Sequence, residues 1–511
     1  MANSSSDTLH ELIKSLSKSE KRFFKLFAGR HKVSEENNSI LLFDFISRMD
    51  IYDENLIKNT FKGSAFLNKF SITKYRLYHL ILDSLNSFYA KSSIQNDLQL
   101  SLQSSKLLFD KGLYSQSKKL IDSILKKADK HHLPHIKWQG LQMLRKYHEQ
   151  HFYTKLTINR LKKLNTEENE ILNNTRVKTD LWYIKSTLFK QINEFGTIRS
   201  KEQIEALKKT VSPISTLDQE SVKTENKYLY HHILGAYYFA IHDINACYDH
   251  LKEIVLIYES DTVLLKKGIS KYLSALTNLI FACIKLRHIE EADLYIDKLE
   301  KLDSLFKKSQ DLEIKYFSSW YSLKLFLMIE KGQESNSDNI SAEIIEGLLK
   351  YEGKINPIRK AYLYFQLGVY FMAFNDYKQA LSNINNVLND KKNLVKEDIY
   401  SFAQILQLII HLELKNFRYL PYVLASTKRF LKEKNRLYRF EVIFLKIITK
   451  IKSEMISNIE LEEILIEYEP EINRLREDKF ESLAFEYFDF GAWLNSKILR
   501  KTYLEVKKAS A

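Results

Sequence analysis

The sequence predicts an all-α fold: an α-solenoid of stacked helical hairpins, preceded by a small helical N-terminal module. Twelve glycines and five prolines among 511 residues are too few for the turns of an all-β protein. A chain of this length also exceeds what one compact core usually supports, which favours a stack of repeated units. Apolar residues make up 45% of the chain, and this content excludes global disorder.

One set of intervals, of 3, 9, 4 and 3 residues, recurs three times and predicts the hairpins. The copies are Leu234-Gly235, Tyr238, Cys247, Leu251 and Ile254; Leu279-Ile280, Cys283, Ala292, Ile296 and Leu299; and Leu367-Gly368, Phe371, Ala380, Ile384 and Val387. This spacing places an apolar stripe on each of two helices and a small residue where they cross. One such pair cannot bury its apolar face alone, so neighbouring pairs are expected to stack into a solenoid with a concave binding surface.

The predicted N-terminal module covers residues 1–95. Ser17 and Glu20 have the spacing of a capping box, and apolar stripes predict helices over residues 23–27, 40–49 and 56–61. A longer helix is predicted over residues 71–91. Because apolar side chains surround most of its circumference, this helix is expected to be buried.

The remaining chain divides into three predicted segments. Residues 96–225 form basic, loosely phased hairpins, with Asn165 to Thr175 as a loop or an exposed helix start. Residues 226–450 carry the clear repeats. Repeat positions 280 and 368 lie 88 residues apart, so a further hairpin is expected between them, with a polar insert at residues 331–339. Residues 451–511 are expected to supply C-terminal capping helices.

These repeats resemble tetratricopeptide repeats, which pair an aliphatic-small dipeptide and an aromatic on one helix with a small residue and an aliphatic pair on the next. The likeness is fullest at Leu367-Gly368, Phe371, Tyr377, Ala380 and Ile384. Ile280 and Cys283 depart from the pattern, and the repeat of about 44 to 45 residues is longer than the 34 of that family. The resemblance implies a right-handed superhelix that binds peptides or helices of partner proteins.

Composition also restricts the cellular setting and the cysteine chemistry. Cys247 and Cys283 are the two cysteines, and both fall on apolar repeat positions, which rules out a disulfide framework. The first residues lack the basic and apolar regions of a secretory signal. The best membrane-span candidate, residues 361–374, is shorter than the roughly 20 residues that a bilayer requires. A cytoplasmic location is therefore expected.

The positive charge is concentrated in the N-terminal part of the chain. Residues 1–200 contain 33 Lys+Arg and 20 Asp+Glu, whereas the remainder contains 45 and 44. A basic patch is expected near residues 101–163, and its candidate members are Lys126, Lys127, Lys130, Lys137, Arg145 and Lys146. Such a patch suits an acidic protein or nucleic acid, although a lysine-rich composition without any ligand gives the same charge.

The sequence carries no recognisable catalytic motif. The two closest glycines, Gly347 and Gly353, are too far apart for a dinucleotide fingerprint or a P-loop in standard form. Five histidines lie between residues 131 and 151, but the surrounding lysines and arginines oppose a divalent ion, so solvated polar positions are the preferred interpretation. No enzymatic activity, cofactor or metal is expected.

The leading hypothesis is a non-enzymatic interaction scaffold or adaptor that binds a peptide or helix of a partner on the concave face of the solenoid. The first helix of each hairpin would line that face, which makes His231, His232, Asn278, Tyr364 and Gln366 the candidate contact residues. The alternative is a nucleic-acid-binding or transcription-linked regulator, in which the basic N-terminal part contacts phosphate and the solenoid acts as a sensor.

Overall fold

The protein is described by a computed structural model, which covers residues 4–29, 35–154, 156–216, 224–302, 309–332, 339–389, 397–451, 458–478 and 480–509. The predicted all-α class is confirmed for these residues, which contain α-helices, two 3₁₀ turns and no strand. The chain forms two compact units, residues 1–173 and residues 174–511. The predicted segments 226–450 and 451–511 therefore belong to one unit.

The first unit begins with a bundle that has its own apolar core. Its helices are α1 (Ser4–Ser15), α2 (Lys18–Ala28), α3 (Glu35–Arg48), α4 (Glu54–Thr60) and, after a 3₁₀ turn (Ala65–Lys69), α5 (Phe70–Tyr89). Phe24 and Phe43 pack against each other in this core. The predicted capping box is confirmed at the start of α2: the Glu20 N–H donates to Ser17 Oγ, and the Ser17 N–H donates to Glu20 Oε2.

Helix α5 is buried along one face only. Leu77 and Ile81 are fully buried, whereas Ile72 is 49% exposed and Tyr75 is 65% exposed. The prediction of a helix buried all round is therefore wrong. The aromatic residues that suggested it include tyrosines, whose hydroxyl groups are compatible with contact with water.

The rest of the first unit consists of sequential helices: α6 (Ile94–Asp110), α7 (Tyr114–Lys130), α8 (Pro134–Gln150) and the beginning of α9 (Ile158–Phe195). Leu98, Ile124 and Ile136 belong to one small core between α6, α7 and α8. Helix α9 continues through residues 165–175, where the sequence analysis placed a loop or a helix start. Pro134 occupies the first position of α8, where its missing N–H costs no hydrogen bond.

In the second unit, helices follow one another in antiparallel-type hairpins with short turns. After α10 (Lys201–Val211) and a 3₁₀ turn (Ser212–Thr216), they are α11 (Thr224–Ala240) with α12 (Ile244–Glu259), α13 (Thr262–Lys285) with α14 (Ile289–Lys301), α15 (Gln310–Lys331) with α16 (Asn339–Lys350), α17 (Pro357–Ala373) with α18 (Tyr377–Leu388), and α19 (Glu397–Glu413) with α20 (Leu420–Glu433). The helices α15 and α16 form in the interval where a further hairpin was expected. Most of its polar insert, residues 333–338, lies outside the described residues.

The helices of a hairpin are joined by the same turn in several places. His242, Arg287 and Asn375 adopt left-handed φ angles of 63°, 60° and 63°. The next N–H in each turn donates to a carbonyl five residues earlier, as Asp376 does to Phe371 at 2.9 Å. This is the Schellman arrangement, which satisfies the carbonyl groups at a helix end. Non-glycine residues fill these left-handed positions, consistent with the low glycine content of the chain.

Small residues lie where the helices of a hairpin cross. At Gly368 a Cβ atom would lie 2.6 Å from Ile384 Cδ1, and Ala380 on the facing helix is fully buried. Cys247 and Cys283 are also buried, as their repeat positions predict. In the hairpin of α15 and α16, Ile344 and Leu348 are buried, whereas Leu349 is 65% exposed.

The last helices pack back onto earlier hairpins. They are α21 (Arg439–Ile451), α22 (Asn458–Glu477), α23 (Ala484–Tyr487), α24 (Phe490–Ile498) and α25 (Tyr503–Ala509). Helix α25 contacts α15, where Lys507 Nζ donates to Glu330 Oε1 at 2.7 Å. The C-terminal segment, expected to cap the stack, thus also lies against a hairpin from the middle of the unit.

A buried ion cluster joins the beginning of the second unit to its end. Arg199, in the loop after α9, lies 2.9 Å from Glu441 Oε2 and 3.5 Å from Glu481 Oε2, and all three side chains are under a tenth exposed. The guanidinium also lies 4.7 Å from the ring centre of Tyr438. Burial raises the pKa of Glu441 to about 6, against the opposing effect of Arg199. One cation thus holds two buried carboxylates.

Replacing Gly368 tests the crossing of α17 and α18. Gly368→Leu should lower the free energy of unfolding by about 1–3 kcal/mol, because Ile384 occupies the space that the new side chain needs. Urea unfolding followed by circular dichroism measures this change. Gln379→Leu on the exposed side of α18 is the control and should stay within about 0.5 kcal/mol of the wild type. Equal stability of the two variants would contradict the crossing.

Replacing Arg199 tests the buried cluster. Arg199→Met should cost about 3–5 kcal/mol of unfolding free energy, because Glu441 and Glu481 would remain buried without their cation. Arg500 is the matched control, since it makes an exposed two-pronged contact with Glu462. Arg500→Met should cost far less, because an exposed ion pair contributes little to stability. Similar losses in both variants would show that burial of the cluster contributes little.

The raised pKa of Glu441 also predicts a pH dependence. The folded protein holds this proton more tightly than an ordinary carboxyl with a pKa of 4.5, so the stabilising contribution is complete below pH 4.5 and is lost as the pH rises through about 6. The unfolding free energy of the wild type, relative to Glu441→Gln, should fall by on the order of 2 kcal/mol across this window. Parallel pH profiles of the two proteins would contradict the assignment.

Candidate partner-binding site

The first helices α13, α15 and α17 carry the same polar positions on one face. Counted from repeat positions 280 and 368, and from residue 324 midway between them, these positions lie nine, six and two residues upstream, a spacing that places them on one side of a helix. Their members are Lys271, Ser274 and Asn278 on α13; Lys315, Ser318 and Ser322 on α15; and Arg359, Tyr362 and Gln366 on α17. We call this set the polar stripe.

Cations head the polar stripe at intervals of 44 residues, at Lys271, Lys315 and Arg359. Lys185 on α9 lies within electrostatic range of Lys271. We call these four residues the cationic row. In the part of the chain that the structure describes, the row forms no ion pair within 4.0 Å. Asp311 is the acidic side chain that acts on Lys315 and Arg359 from the start of α15.

Each cation of the polar stripe contacts the preceding first helix. Lys271 Nζ lies 4.7 Å from the centre of the Tyr228 ring on α11. Lys315 Nζ donates to the carbonyl of Ser270 and, at 2.8 Å, to Ser270 Oγ on α13. Arg359 Nη1 donates to Ser318 Oγ on α15 at 3.4 Å. These contacts fix the side chains without neutralising their charges.

The surroundings of the cationic row disfavour the charged state. Burial lowers the pKa of Lys315 to about 8, and the neighbouring Arg359 acts in the same direction. Burial also lowers the pKa values of Lys185, Lys271 and Arg359, and Lys185 adds to the effect at Lys271. A negatively charged ligand would offset this cost, because it would supply the counter-charge that the protein does not.

His232, one of the residues selected from the sequence, lies beside the cationic row. Its ring stacks on Phe189 and on Tyr228, and its buried Nδ1 has no hydrogen-bond partner among the described residues. Burial lowers its pKa to about 4, with a contribution from Lys185, Lys271 and Lys315. The imidazole is therefore neutral at pH 7.

The other residues selected from the sequence have different surroundings. Asn278 is exposed on the polar stripe. Gln366 is half-buried there, donates through Nε2 to the Ser322 carbonyl at 3.3 Å and leaves its buried Oε1 without a partner. His231 instead lies 3.0 Å from His250 within its own hairpin, and Tyr364 packs against the apolar core. The structure thus brings His232, Asn278 and Gln366 onto the faces described here, whereas His231 and Tyr364 have packing contacts.

The basic patch predicted in the first unit lies on α7 and α8, and half of its cations have acidic partners. Lys127 lies 4.0 Å from Asp97, Lys137 lies 2.7 Å from Asp129, and Arg145 lies 2.9 Å from Glu168. Within the described residues, Lys126, Lys130 and Lys146 remain without an ion pair. The positive field of this patch is therefore weaker than its sequence suggests.

Three aromatic side chains near this patch are exposed. Trp138 is 38% exposed, Tyr153 is 49% exposed and Phe152 is 84% exposed. Phe152 and Tyr153 follow the end of α8 with left-handed φ angles of 48° and 57°, which turn the chain sharply there. Their rings are accessible for contact with another molecule.

The histidines and cysteines form no evident reactive site. Among the described residues, no group of three or more His, Cys, Asp or Glu side chains has an arrangement suited to a metal ion. His151 Nδ1 contacts the Tyr147 carbonyl at 2.8 Å, and burial lowers the pKa of His148. Burial raises the pKa of Cys247 to about 12 and that of Cys283 to about 11, so both thiols are protonated and poorly nucleophilic at neutral pH.

Comparison with known proteins identifies no relative: no family model, curated protein or solved structure matches the chain. The geometry of the site is therefore the basis for assigning a function. Within the described helices, none is long and apolar enough to cross a membrane.

The cationic row was missed in the sequence analysis, although a signal for it was present. Lys271, Lys315 and Arg359 recur every 44 residues, close to the repeat length itself. Apolar and small residues determine the packing of a hairpin and therefore reveal the repeats, whereas the polar positions form a pattern only when successive hairpins are compared. Lys185 precedes the regular repeats, so its place in the row depends on the packing of α9 against α11.

The lowered pKa of Lys315 predicts a change of stability at alkaline pH. Its folded pKa of about 8 lies below the ordinary value of 10.5, so the folded protein binds this proton less tightly than the unfolded chain. The unfolding free energy of the wild type, relative to Lys315→Met, should therefore rise between about pH 8 and pH 10.5. Lys266→Met, at an exposed lysine of α13, is the control and should show no such rise. Identical profiles for both variants would contradict the partial burial of Lys315.

Proposed function

We propose that this protein is a non-enzymatic interaction scaffold, whose hairpins stack as a tetratricopeptide-like α-solenoid. The first helices would line its concave surface, and the polar stripe would receive a peptide or helix of a partner protein. Lateral packing of α13 on α15 and of α15 on α17 supports this arrangement, because it places the same positions of consecutive first helices side by side.

The polar stripe is the observation that carries the proposal. A surface with only a structural role would pair its half-buried cations, or leave them fully hydrated. Lys315 and Arg359 are instead half-buried and held by neutral groups, without an ion pair among the described residues. Cations without a counter-charge at the same position of adjacent helices are typical of a binding surface. We assign the protein no catalytic step.

Nucleic-acid binding by the first unit is the second candidate, and the exposed aromatic residues favour it. Phe152 and Tyr153 offer accessible ring faces close to Lys146, and bases stack on such rings. The ion pairs of Lys127, Lys137 and Arg145 count against a strong phosphate-binding field. This candidate requires a complex that nuclease destroys and that added salt weakens steeply.

Photo-crosslinking in the source cells tests the proposed function. A photoreactive amino acid replaces Asn278 on the polar stripe or, as a matched control, the exposed Glu253 on the second helix α12. Crosslinked complexes are purified under denaturing conditions after nuclease treatment and identified by mass spectrometry. A single partner polypeptide should crosslink at position 278 and not at position 253, because the first helices alone line the proposed surface.

Two outcomes would overturn this function. Equal crosslinking at both positions would place the partner elsewhere or indicate non-specific contact. A partner that co-purifies stoichiometrically without crosslinking at position 278 would exclude the polar stripe as its binding surface. Recovery of nucleic acid that is lost with increasing salt would favour the second candidate instead.

A further inference from the structure

We propose that the partner segment bound along the polar stripe is an extended acidic peptide, with a carboxylate side chain at every third residue facing successive members of the cationic row. This inference rests on the proposed function and adds the chemistry of the partner. It follows from the charge of the row, from the spacing of the first helices and from the charge balance of the surrounding chain.

Charge complementarity is the first argument. Lys271, Lys315 and Arg359 present three positive charges on neighbouring first helices, and no carboxylate of the described chain lies within ion-pair distance of them. The Tyr228 ring, the Ser270 oxygens and Ser318 Oγ already fix their positions. Because these cations are already held in place, binding a carboxylate costs little further side-chain entropy, which favours binding.

The spacing of the helices selects an extended peptide. Packed helices lie about 8–10 Å apart, and one cation of the row is contributed by each of the neighbouring helices α13, α15 and α17. A polyproline-type chain has three residues per turn and rises about 3.1 Å per residue, so every third side chain points the same way at intervals of about 9 Å. Acidic residues at this interval match Lys271, Lys315 and Arg359 one to one.

The polar stripe also offers groups for the peptide backbone. An extended chain of this type leaves its own N–H and carbonyl groups without internal hydrogen bonds. The exposed Asn278 amide can both donate to and accept from a peptide backbone, and Gln366 holds the same repeat position on α17. The amides lie seven residues from the cations on their helices, which places them two turns away on the same face.

The surrounding charge favours a protein partner over nucleic acid. Residues 201–511 contain 45 Lys+Arg and 44 Asp+Glu, so the row is a local feature of a nearly neutral region. Nucleic-acid-binding surfaces instead carry a broad positive excess. The aromatic rings beside the row are also engaged within the protein, because Tyr228 and Phe189 each stack on His232.

Fluorescence anisotropy with the full-length protein tests this inference. The probe is a labelled synthetic peptide with glutamate at every third position and alanine or proline between. A second peptide of identical composition has its glutamates contiguous, and a third has glutamine in their place. The first peptide should bind most tightly, the contiguous one more weakly and the glutamine one least, with affinity falling as salt is added.

Charge-removing variants locate the binding. Lys271→Gln, Lys315→Gln and Arg359→Gln should each weaken the first peptide about tenfold, the effect of one charge-assisted hydrogen bond. Lys315→Arg retains the charge and should retain most of the affinity. The control protein carries Lys266→Gln, Lys301→Gln and Lys354→Gln, which remove three exposed charges outside the row and should leave binding within about twofold. Thermal unfolding monitored by circular dichroism confirms that each variant is folded.

Several results would overturn the inference. Equal affinity for the spaced and contiguous peptides would contradict the match between every third residue and the cations. Equal weakening by the row variants and by the control protein would show that binding depends only on net charge. Displacement of the peptide by a single-stranded oligonucleotide of comparable affinity would assign the row to phosphate. If no acidic peptide binds while a partner still crosslinks at position 278, the acidic chemistry fails and the proposed function stands; if crosslinking fails too, both fall.

Discussion

The turn within each hairpin is the constraint on which the arrangement of the second unit depends. Left-handed residues occur at His242, Arg287, Gly332 and Asn375, which lie 45, 45 and 43 residues apart. A non-glycine residue in this conformation costs roughly 1–2 kcal/mol, so it persists only where the turn hydrogen bonds and the packing of the two helices offset that cost. Each turn ends one helix at a defined residue and thereby determines where the next helix begins.

Because the hairpins are nearly equal in length, residues at the same repeat position have similar surroundings in each hairpin. The crossing at Gly368 and the burial of Cys247, Cys283 and Ala380 are products of this regularity, and so is the cationic row. Position nine residues before the crossing is a lysine or arginine in three consecutive hairpins. In the preceding hairpin the same position holds Asn226, which is buried and donates through Nδ2 to the Asn174 carbonyl at 2.9 Å. Among the first helices, the row therefore ends before α11, where the uncharged amide of Asn226 has a structural role.

The sequence predicted those parts of the fold that depend on local apolar patterns. The hairpins of α11 with α12, α13 with α14 and α17 with α18 follow directly from the recurring intervals, and the missing hairpin followed from their separation. Helix α9 was not predicted as one element, because Asn165 to Thr175 is a polar stretch without an apolar face. Arg199, Glu441 and Glu481 are separated by up to 282 residues, and no local pattern connects them.

The candidate site shows the same division. Gln366 was selected for its expected exposure on a first helix, and His232 for its place near the start of another. The sequence could not distinguish the surroundings of His231 from those of its neighbour His232. Consecutive side chains of a helix point about 100° apart, and only the packing of α12 shows that His231 faces His250. The cations were detectable only by comparing one hairpin with the next, because their significance arises from lateral packing of α13, α15 and α17.

The buried cluster around Arg199 connects the beginning of the second unit to its end. Glu481 accepts the N–H groups of Arg439 and Phe440 as well as the Arg199 guanidinium, so the loop after α9 is attached to α21 and to the segment before α23. Helix α25 adds a contact from the C-terminal end to α15, which carries Lys315. A stack in which each hairpin contacts only the adjacent hairpins would flex along its length. Contacts between distant parts of the second unit limit such flexing. In the proposed complex, little ordering of the protein would therefore be needed on association, and a few charged contacts would suffice to hold a short partner segment.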